Sequence, residues 1–209
     1  MMGAARFIAL EGGEGAGKST QARLLAASLA ARGIDAVVTR EPGGTPGAEA
    51  IRALLLGLDG EGWLPRAEAL LFAAARSDHV ERLIRPALAA GKWVICDRFV
   101  DSSRAYQGGG AGLTDADLMD LHRIGSGGLL PDLTLLITVS PAVAAARLAL
   151  RDTDGADRIG GRPAEFHARV AAAFDRFAAA EPARFARING DGTPEATHRA
   201  VLAALDGAA

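Results

Sequence analysis

A glycine-rich loop near the start of the chain limits the folds that this sequence can adopt. Its residues, Gly12-Gly13-Glu14-Gly15-Ala16-Gly17-Lys18-Ser19, match the pattern G-x-x-x-x-G-K-[ST] in full. An apolar run, Phe7–Leu10, precedes the loop, and a stretch of helical composition, Lys18–Arg32, follows it. In this context the backbone N–H groups and the helix N-terminus hold phosphate oxygens. The loop therefore predicts a nucleoside triphosphate site rather than a turn without a ligand.

The loop and a second strand end predict how the phosphates and a metal ion are held. Lys18 would reach the β- and γ-phosphates, and the Ser19 hydroxyl would bind Mg²⁺. Asp97 follows the apolar run Trp93–Cys96, so we expect its carboxylate at the same sheet edge, holding Mg²⁺ through water. Arg98 can clamp an acceptor phosphate, although adjacent Asp97 and Arg98 could also form a simple surface ion pair. The residues predicted to bind ATP are Gly12, Gly13, Glu14, Gly15, Ala16, Gly17, Lys18, Ser19 and Thr20.

Short apolar runs alternate with longer stretches of helical composition, which predicts βαβ units and a parallel sheet. The predicted strands are Phe7–Leu10, Ala36–Thr39, Trp93–Cys96, Leu133–Val139 and Phe185–Ile188. The predicted helices are Lys18–Arg32, Pro46–Leu56, Arg66–Ala89, Thr114–Gly125, Ala142–Arg151, Ala164–Ala180 and Pro194–Leu205. Irregular segments are predicted at Gly12–Gly17, Arg40–Gly44, Gly108–Gly112 and Asp152–Gly161. No repeat or long linker interrupts the 209 residues, so we expect one α/β domain over residues 1–209.

Composition narrows the classes of protein further. The net charge of −2 gives no general attraction for nucleic acid or for an anionic membrane. Apolar runs are too short or too interrupted to span a bilayer. Cys96 is the only cysteine, so an intrachain disulfide is excluded. Because the first residues also carry no signal-peptide pattern, we expect a cytoplasmic location.

The sequence also narrows the class of nucleotide-binding protein. A guanine-nucleotide switch needs an Asn-Lys-x-Asp motif, but the single asparagine, Asn189, is followed by Gly190. Motor ATPases are normally larger, which leaves the small-molecule kinases. The acceptor could be a nucleoside monophosphate or a deoxynucleoside. A nucleotide-dependent binding module without turnover is a third reading.

Several longer strings closely resemble the bacterial thymidylate kinases, over essentially the whole chain. They are Arg40-Glu41-Pro42-Gly43-Gly44-Thr45, Phe72-Ala73-Ala74-Ala75-Arg76, Asp97-Arg98 and Asp101-Ser102-Ser103-Arg104-Ala105-Tyr106-Gln107-Gly108-Gly109-Gly110. This resemblance implies a three-layer P-loop NTPase fold, with a five-stranded parallel sheet flanked by helices, assembled as a homodimer. It also implies that MgATP phosphorylates dTMP to dTDP, which feeds dTTP synthesis for DNA replication.

The same resemblance implies roles for individual residues at the acceptor site. Phe72 would stack on the pyrimidine and Arg76 would hydrogen-bond a ring carbonyl, although Phe72 could equally be a core residue. Tyr106 would lie near the sugar C2′, and Glu14 near the 3′-hydroxyl. The residues implied to bind the acceptor are Glu14, Arg40, Arg52, Phe72, Arg76, Arg98, Ser103, Tyr106 and Gln107.

Residues 151–162 resemble the lid of these enzymes. Some members of the family carry a catalytic arginine in the phosphate loop, but Gly15 stands there in this chain, so the lid is expected to supply the charge. Arg151 and Arg158 are favoured over Arg147, and Arg162 is the weakest candidate. The predicted catalytic residues are Lys18, Asp97, Arg98, Arg151 and Arg158. The four histidines and Cys96 are expected to be structural or solvated.

Overall fold

A computed structural model gives the fold and describes residues 5–57, 62–151 and 158–208. The described residues form five strands: β1 (Phe7–Glu11), β2 (Ala36–Arg40), β3 (Trp93–Asp97), β4 (Leu133–Thr138) and β5 (Phe185–Asn189). They form one parallel sheet in the order β2-β3-β1-β4-β5. The expected five-stranded parallel sheet is confirmed, with β1 at its centre.

Helices flank the sheet. They are α1 (Lys18–Ala31), α2 (Pro46–Leu56), α3 (Pro65–His79), α4 (Arg85–Ala89), α5 (Val100–Ser103), α6 (Asp115–Ser126), α7 (Pro141–Arg151), α8 (Ala164–Ala180) and α9 (Pro194–Gly207). Two π-helical turns, Val80–Ile84 and Arg104–Gly110, continue α3 and α5. None of the helices in the described part of the chain combines the length and apolar character that a membrane span requires.

Side chains of β1 alternate between the two faces of the sheet, as a strand requires. Ile8 and Leu10 pack with buried residues of α1 and α9 on one face. Phe7 and Ala9 pack on the other face, with the π-helical turn Val80–Ile84. Both faces of the sheet are therefore covered, which produces three layers.

Two helical segments differ from the sequence prediction. The predicted helix Arg66–Ala89 is interrupted by the π-helical turn Val80–Ile84, just before Pro86. Proline has no N–H to donate to the preceding turn, and a π-helical turn accommodates that loss. Residues Gly108–Gly110, predicted to be irregular, belong to the second π-helical turn.

Close packing explains why glycines occupy that second turn. A Cβ atom on Gly109 would lie 2.5 Å from the Cβ of Ala173 in α8. A Cβ on Gly110 would overlap the ring of Phe166. The glycines therefore allow α8 to approach the helical backbone, and the composition that suggested a loop reflects a tight helix contact.

A buried aspartate ties α5 to the sheet. Asp101 Oδ1 accepts hydrogen bonds from Arg104 Nη1 (3.0 Å) and Arg184 Nη2 (2.9 Å). Its Oδ2 accepts from Arg184 Nη1 (2.6 Å) and from Thr134 Oγ1 in β4 (3.3 Å). Because the carboxylate has four donors, its burial is compensated. The network fixes α5, and therefore the turn that follows it, relative to β4.

A second buried carboxylate joins the ends of β1 and β3. Glu11 Oε1 accepts from the backbone N–H groups of Phe99 (2.8 Å) and Ser102 (3.0 Å). Its Oε2 accepts from Ser102 Oγ (2.6 Å). Burial, and secondarily the charge of Asp101, raise the pKa of Glu11 from 4.5 to about 7. The side chain thereby holds the segment after β3 against the end of β1.

The packing at Gly109 can be tested by adding one methyl group. We expect Gly109→Ala to lower the free energy of unfolding by about 1–3 kcal/mol, because the Cβ must displace Ala173 or the α8 backbone. Gly207→Ala is the matched control, since it also lies in a helix and its Cβ would meet nothing within 4 Å. Urea unfolding measures both variants, and equal stabilities would contradict the contact.

The raised pKa of Glu11 predicts a pH dependence of stability. Its protonated form favours the folded state, so this contribution is complete below about pH 4.5 and is lost as the pH rises through about 7. Relative to Glu11→Gln, which stays neutral, we expect the wild type to lose about 3 kcal/mol over that range. Urea titrations of both proteins at several pH values test this. Parallel pH profiles would show that Glu11 does not titrate in this window.

Candidate active site

One cavity of about 550 Å³ opens at the carboxyl ends of the strands, where open α/β sheets bind their ligands. Residues of the phosphate loop line it, and so do residues of α3 and of the π-helical turn after α5. Of the described side chains that line it, seven are basic and three are acidic. This excess of positive charge favours a ligand that carries phosphate groups.

The phosphate loop holds its lysine in place through the loop's own carbonyl groups. Lys18 Nζ donates to the carbonyl oxygens of Gly12 (3.1 Å) and Gly13 (2.7 Å). Burial, and then the neighbouring charge of Arg98, lower the pKa of Lys18 from 10.5 to about 8. A phosphate oxygen is a stronger acceptor than a carbonyl oxygen, so a bound triphosphate would favour the charged form of Lys18.

The two residues predicted to hold a metal ion are in contact. Ser19 Oγ donates to Asp97 Oδ2 at 2.5 Å, and both side chains line the cavity. The described residues contain no cluster of three or more Asp, Glu, His or Cys side chains suited to a metal. Mg²⁺ commonly uses only one or two protein oxygens, with water and substrate phosphates as its other ligands. The pair therefore fits a Mg²⁺ ion that arrives with a nucleotide.

Arg98 has an unusual backbone conformation, and hydrogen bonds hold its guanidinium group in place. Among the described residues it is the one non-glycine residue with positive φ, at 71°. Its Nη1 donates to the carbonyl of Gly12 (3.0 Å) and to Ser102 Oγ (3.1 Å), and its Nη2 donates to Glu14 Oε1 (2.5 Å). A strained conformation of this kind persists only where its surroundings enforce it. The hydrogen bonds that Glu11 accepts from Phe99 and Ser102 supply that constraint.

Glu14 and Tyr106, both predicted near the sugar, meet at Arg98. Tyr106 Oη donates to Glu14 Oε1 at 3.3 Å, and the Arg98 guanidinium lies 5.0 Å from the centre of the Tyr106 ring. Burial raises the pKa of Tyr106 to about 12, so its hydroxyl keeps its proton at neutral pH. The structure thus brings three of the predicted acceptor residues into one cluster.

Phe72 and Arg76 both line the cavity, as their spacing of four residues along α3 predicts. Phe72 is half-buried and also packs against the cluster that contains Tyr106. Arg76 is buried: its Nε donates to Glu41 Oε2 (2.7 Å), and its Nη2 donates to Ser103 Oγ (2.8 Å). Arg76 Nη1 makes no hydrogen bond with the described residues. That N–H group is the donor that Arg76 can offer to a ligand.

Behind Arg76, a chain of buried polar groups fixes its orientation. Glu41 Oε1 contacts His79 Nδ1 (3.1 Å), and His79 Nε2 contacts Thr39 Oγ1 (2.7 Å). All three residues are buried. His79 therefore has the structural role that the sequence analysis expected, but it acts next to the cavity.

Gln107 lines the same part of the cavity and is also held from behind. Its Nε2 donates to Glu68 Oε1 at 2.8 Å, and both residues are almost fully buried. Glu68 Oε2 accepts a short hydrogen bond from Arg162 Nη2. Gln107 Oε1 accepts no hydrogen bond from the described residues.

Arg40 and Arg52 line the cavity from β2 and α2. The exposed Arg40 pairs with Glu49, whose two oxygens lie 3.1 and 3.2 Å from Arg40 Nη2. Arg52 Nη1 donates to the carbonyl oxygen of Pro42 at 2.8 Å. Both arginines therefore line the cavity, and their role in binding the acceptor stays a prediction.

Among the candidate lid arginines, Arg147 lies against the phosphate loop. Its Nη2 donates to the carbonyl oxygens of Gly190 (2.7 Å) and Gly192 (3.1 Å), and its Nη1 reaches those of Gly15 (3.4 Å) and Ala16 (3.5 Å). It also lines the cavity. Arg147 is less favoured by sequence than Arg151 and Arg158 as the catalytic arginine, yet its side chain lies at the cavity and against the phosphate loop.

The other lid arginines lie elsewhere or outside the described residues. The side chain of Arg151 and residues 152–157 are not among those described. Arg158 packs beside Gly62, where a Cβ would lie 3.4 Å from Arg158 Cδ, and it is not among the residues that line the cavity. Arg162 pairs with Glu68 and stacks 4.6 Å from the centre of the Phe166 ring.

Sequence reasoning missed three buried glutamates at this site: Glu11, Glu41 and Glu68. Glu11 ends β1, Glu41 follows β2 and Glu68 lies on α3. Each accepts a hydrogen bond from a residue that lines the cavity. An available signal was position, since Glu11 and Glu41 stand at or just after the carboxyl ends of strands. Glu68 lies four residues before Phe72, so it shares the face of α3 that points to the cavity.

Comparison with known proteins identifies the family. A thymidylate kinase family model matches residues 10–201. A thymidylate kinase of Rhizorhabdus wittichii is 59% identical over 202 residues, covering 96% of this chain and 97% of that protein. A thymidylate kinase of Rhodopseudomonas palustris is 50% identical over 195 residues, covering 91% of this chain and 84% of that protein.

The fold agrees with the sequence comparisons. The crystal structure of thymidylate kinase from Ehrlichia chaffeensis matches with a TM-score of 0.80 and 33% sequence identity, covering 97% of this chain and all of that one. The phosphate loop, the Ser19–Asp97 pair and the cavity beside α3 lie within the matched region. The chain therefore belongs to the thymidylate kinase family.

Proposed function

We propose that this protein transfers the γ-phosphoryl group of ATP to dTMP, giving ADP and dTDP. The observation that carries the proposal is the single cavity that joins a complete phosphate loop to a buried pocket lined by Phe72, Arg76 and Gln107. A protein that only binds a nucleotide has no need for the second pocket. Membership of the thymidylate kinase family supports the same reaction.

The acceptor phosphate requires little activation. A phosphate monoester is already ionised at neutral pH, so alignment and neutralisation of charge dominate catalysis, and no general base is needed. Arg98 is held at the junction of the phosphate loop and the acceptor pocket by Gly12, Glu14 and Ser102. From there its guanidinium can contact the transferring group from the acceptor side.

Ser19 and Asp97 would hold the Mg²⁺ ion that accompanies ATP. When bound, this ion supplies positive charge to the phosphate oxygens. Lys18 provides a second positive charge from the loop. Arg147, between the phosphate loop and the segment after β5, is placed to contact ATP, and Arg158 is the candidate that would bring a further charge from the lid.

We also propose that the enzyme acts in the cytoplasm, as a homodimer, and feeds dTTP synthesis. Exposed apolar side chains on α2, α3 and α6 support dimerisation: Leu54 is 55% exposed, Leu70 56% and Ile124 74%. Helix α3 contacts both α2 and α6, so these helices present neighbouring surfaces. Burying large apolar side chains of this kind is favourable in an interface.

The acceptor can be tested with a panel of nucleotides. We expect ADP release with MgATP to be fastest with dTMP, and slower with dUMP by about 10- to 200-fold in kcat/KM, because one methyl group is missing. Thymidine, which lacks the phosphate, should give no turnover. Faster turnover with another monophosphate would show that dTMP is not the preferred acceptor. The absence of turnover with every acceptor would indicate a protein that binds nucleotides without catalysis.

We expect substitutions of Arg147 and Arg158 to cause different kinetic defects. We expect Arg158→Ala to lower kcat by about 10³-fold or more with little change in the KM for dTMP, as for catalytic arginines in other phosphoryl transfers. Arg147→Ala should mainly raise the KM for ATP, because it removes contacts beside the phosphate loop. Steady-state kinetics with each substrate varied separate the two. Wild-type kcat for Arg158→Ala would rule out its catalytic role.

A further inference from the structure

A buried pair of side chains determines which hydrogen-bonding group Gln107 shows to the cavity. An ionised carboxylate only accepts hydrogen bonds, and Glu68 lies beside a guanidinium group, that of Arg162. The Gln107 atom that faces Glu68 Oε1 at 2.8 Å must therefore be the amide nitrogen. This fixes the orientation of the amide by chemistry, and it leaves Gln107 Oε1 as the group available to a ligand.

The neighbouring arginine offers the opposite kind of group. Arg76 Nε is held by Glu41 and its Nη2 by Ser103, so Nη1 is the donor available to a ligand. Both Arg76 and Gln107 line the cavity. Between them, these two side chains therefore present one fixed donor and one fixed acceptor to the cavity. A 4-oxo-pyrimidine shows the complementary pair, an O4 acceptor and an N3–H donor, whereas a 4-amino-pyrimidine shows the reverse pair.

We propose that Glu68 is a positioning residue that makes the acceptor pocket specific for 4-oxo over 4-amino pyrimidines. This inference rests on the proposed function, and it assigns the choice of base to a side chain that touches no substrate. Arg162 takes part as the donor that occupies the other carboxylate oxygen, Glu68 Oε2. With a cytosine base, Gln107 Oε1 would face an unprotonated nitrogen and Arg76 would face an amino group, so buried polar groups would be left unpaired.

The variant Glu68→Gln reverses this arrangement without changing size. Arg162 can only donate, so the carbonyl oxygen of the introduced glutamine turns to Arg162 and its NH₂ group turns to Gln107. Gln107 must then offer its own oxygen to residue 68 and its NH₂ group to the cavity. We expect the ratio of kcat/KM for dTMP to that for dCMP to fall by about 10- to 100-fold, because the N3 contact becomes mismatched for thymine.

The double variant Glu68→Gln, Gln107→Glu exchanges the glutamate and the glutamine between the two positions, and it should restore the preference for dTMP. The glutamine introduced at position 68 again accepts from Arg162, and it donates to the carboxylate introduced at position 107, which offers an acceptor oxygen to the cavity. We expect this variant to recover the dTMP preference to within about tenfold of the wild type. A residue with only a structural role would not give a loss of specificity followed by its recovery. Glu81→Gln, on the exposed surface of the turn that continues α3, is the matched control for the loss of one carboxylate charge.

The outcomes separate this inference from the proposed function. A ratio that falls in Glu68→Gln and recovers in the double variant supports the inference. A folded Glu68→Gln protein with an unchanged ratio overturns it. If thermal melting shows that Glu68→Gln is unfolded, the double variant decides: retained preference supports the inference and lost preference overturns it. If the wild type shows no turnover, the proposed function fails. The inference about Glu68 is then tested with the Kd values of dTMP and dCMP, measured by calorimetry for the wild type and both variants and compared as the same ratio.

Discussion

Buried carboxylates that pair with fixed donors hold this site together. Glu11, Glu41, Glu68 and Asp101 are each almost fully buried, and each accepts hydrogen bonds from donors that belong to a different element. Burial of an isolated carboxylate is costly. All of the four except Glu11 pair with an arginine, and removal of one partner from a buried ion pair costs about 3–5 kcal/mol. The partners are therefore confined to one geometry. These four side chains thereby fix the positions of the donors and acceptors that line the cavity.

The sheet was well predicted, and its small errors are informative. Four strands extend one residue beyond their predicted ends, to Glu11, Arg40, Asp97 and Asn189. Each of these residues is charged or carries an amide, and the backbone pairing of the sheet still includes it. These terminal residues face the loops that bind ligands in open α/β sheets. The residues omitted from the strands are thus largely those that build the site.

Other parts of the site could not be predicted because they depend on contacts between distant segments. Position along the chain placed Phe72 and Arg76 on one helix face, but nothing local indicates that Glu41 holds Arg76 across 35 residues. Phe99 follows Arg98 directly, yet the structure buries it in the core between Phe7 (4.8 Å between ring centres) and His122 (5.6 Å). Helix α5 and the π-helical turn that follows it were missed because their serines and glycines serve tertiary contacts.

The position of β1 has a consequence for how the chain reaches this structure. Phe7–Glu11 pairs with β3, in the register Phe7 with Val94, and with β4, in the register Ile8 with Leu133. During synthesis, the edge of β1 that pairs with β3 therefore stays open until about ninety further residues have been made. The edge that pairs with β4 stays open until more than one hundred and twenty further residues have been made. Contacts at such sequence separation slow folding, and an unpaired apolar strand is exposed to aggregation meanwhile. The phosphate loop starts where this strand ends, so its position against the sheet depends on strands that are made long after it.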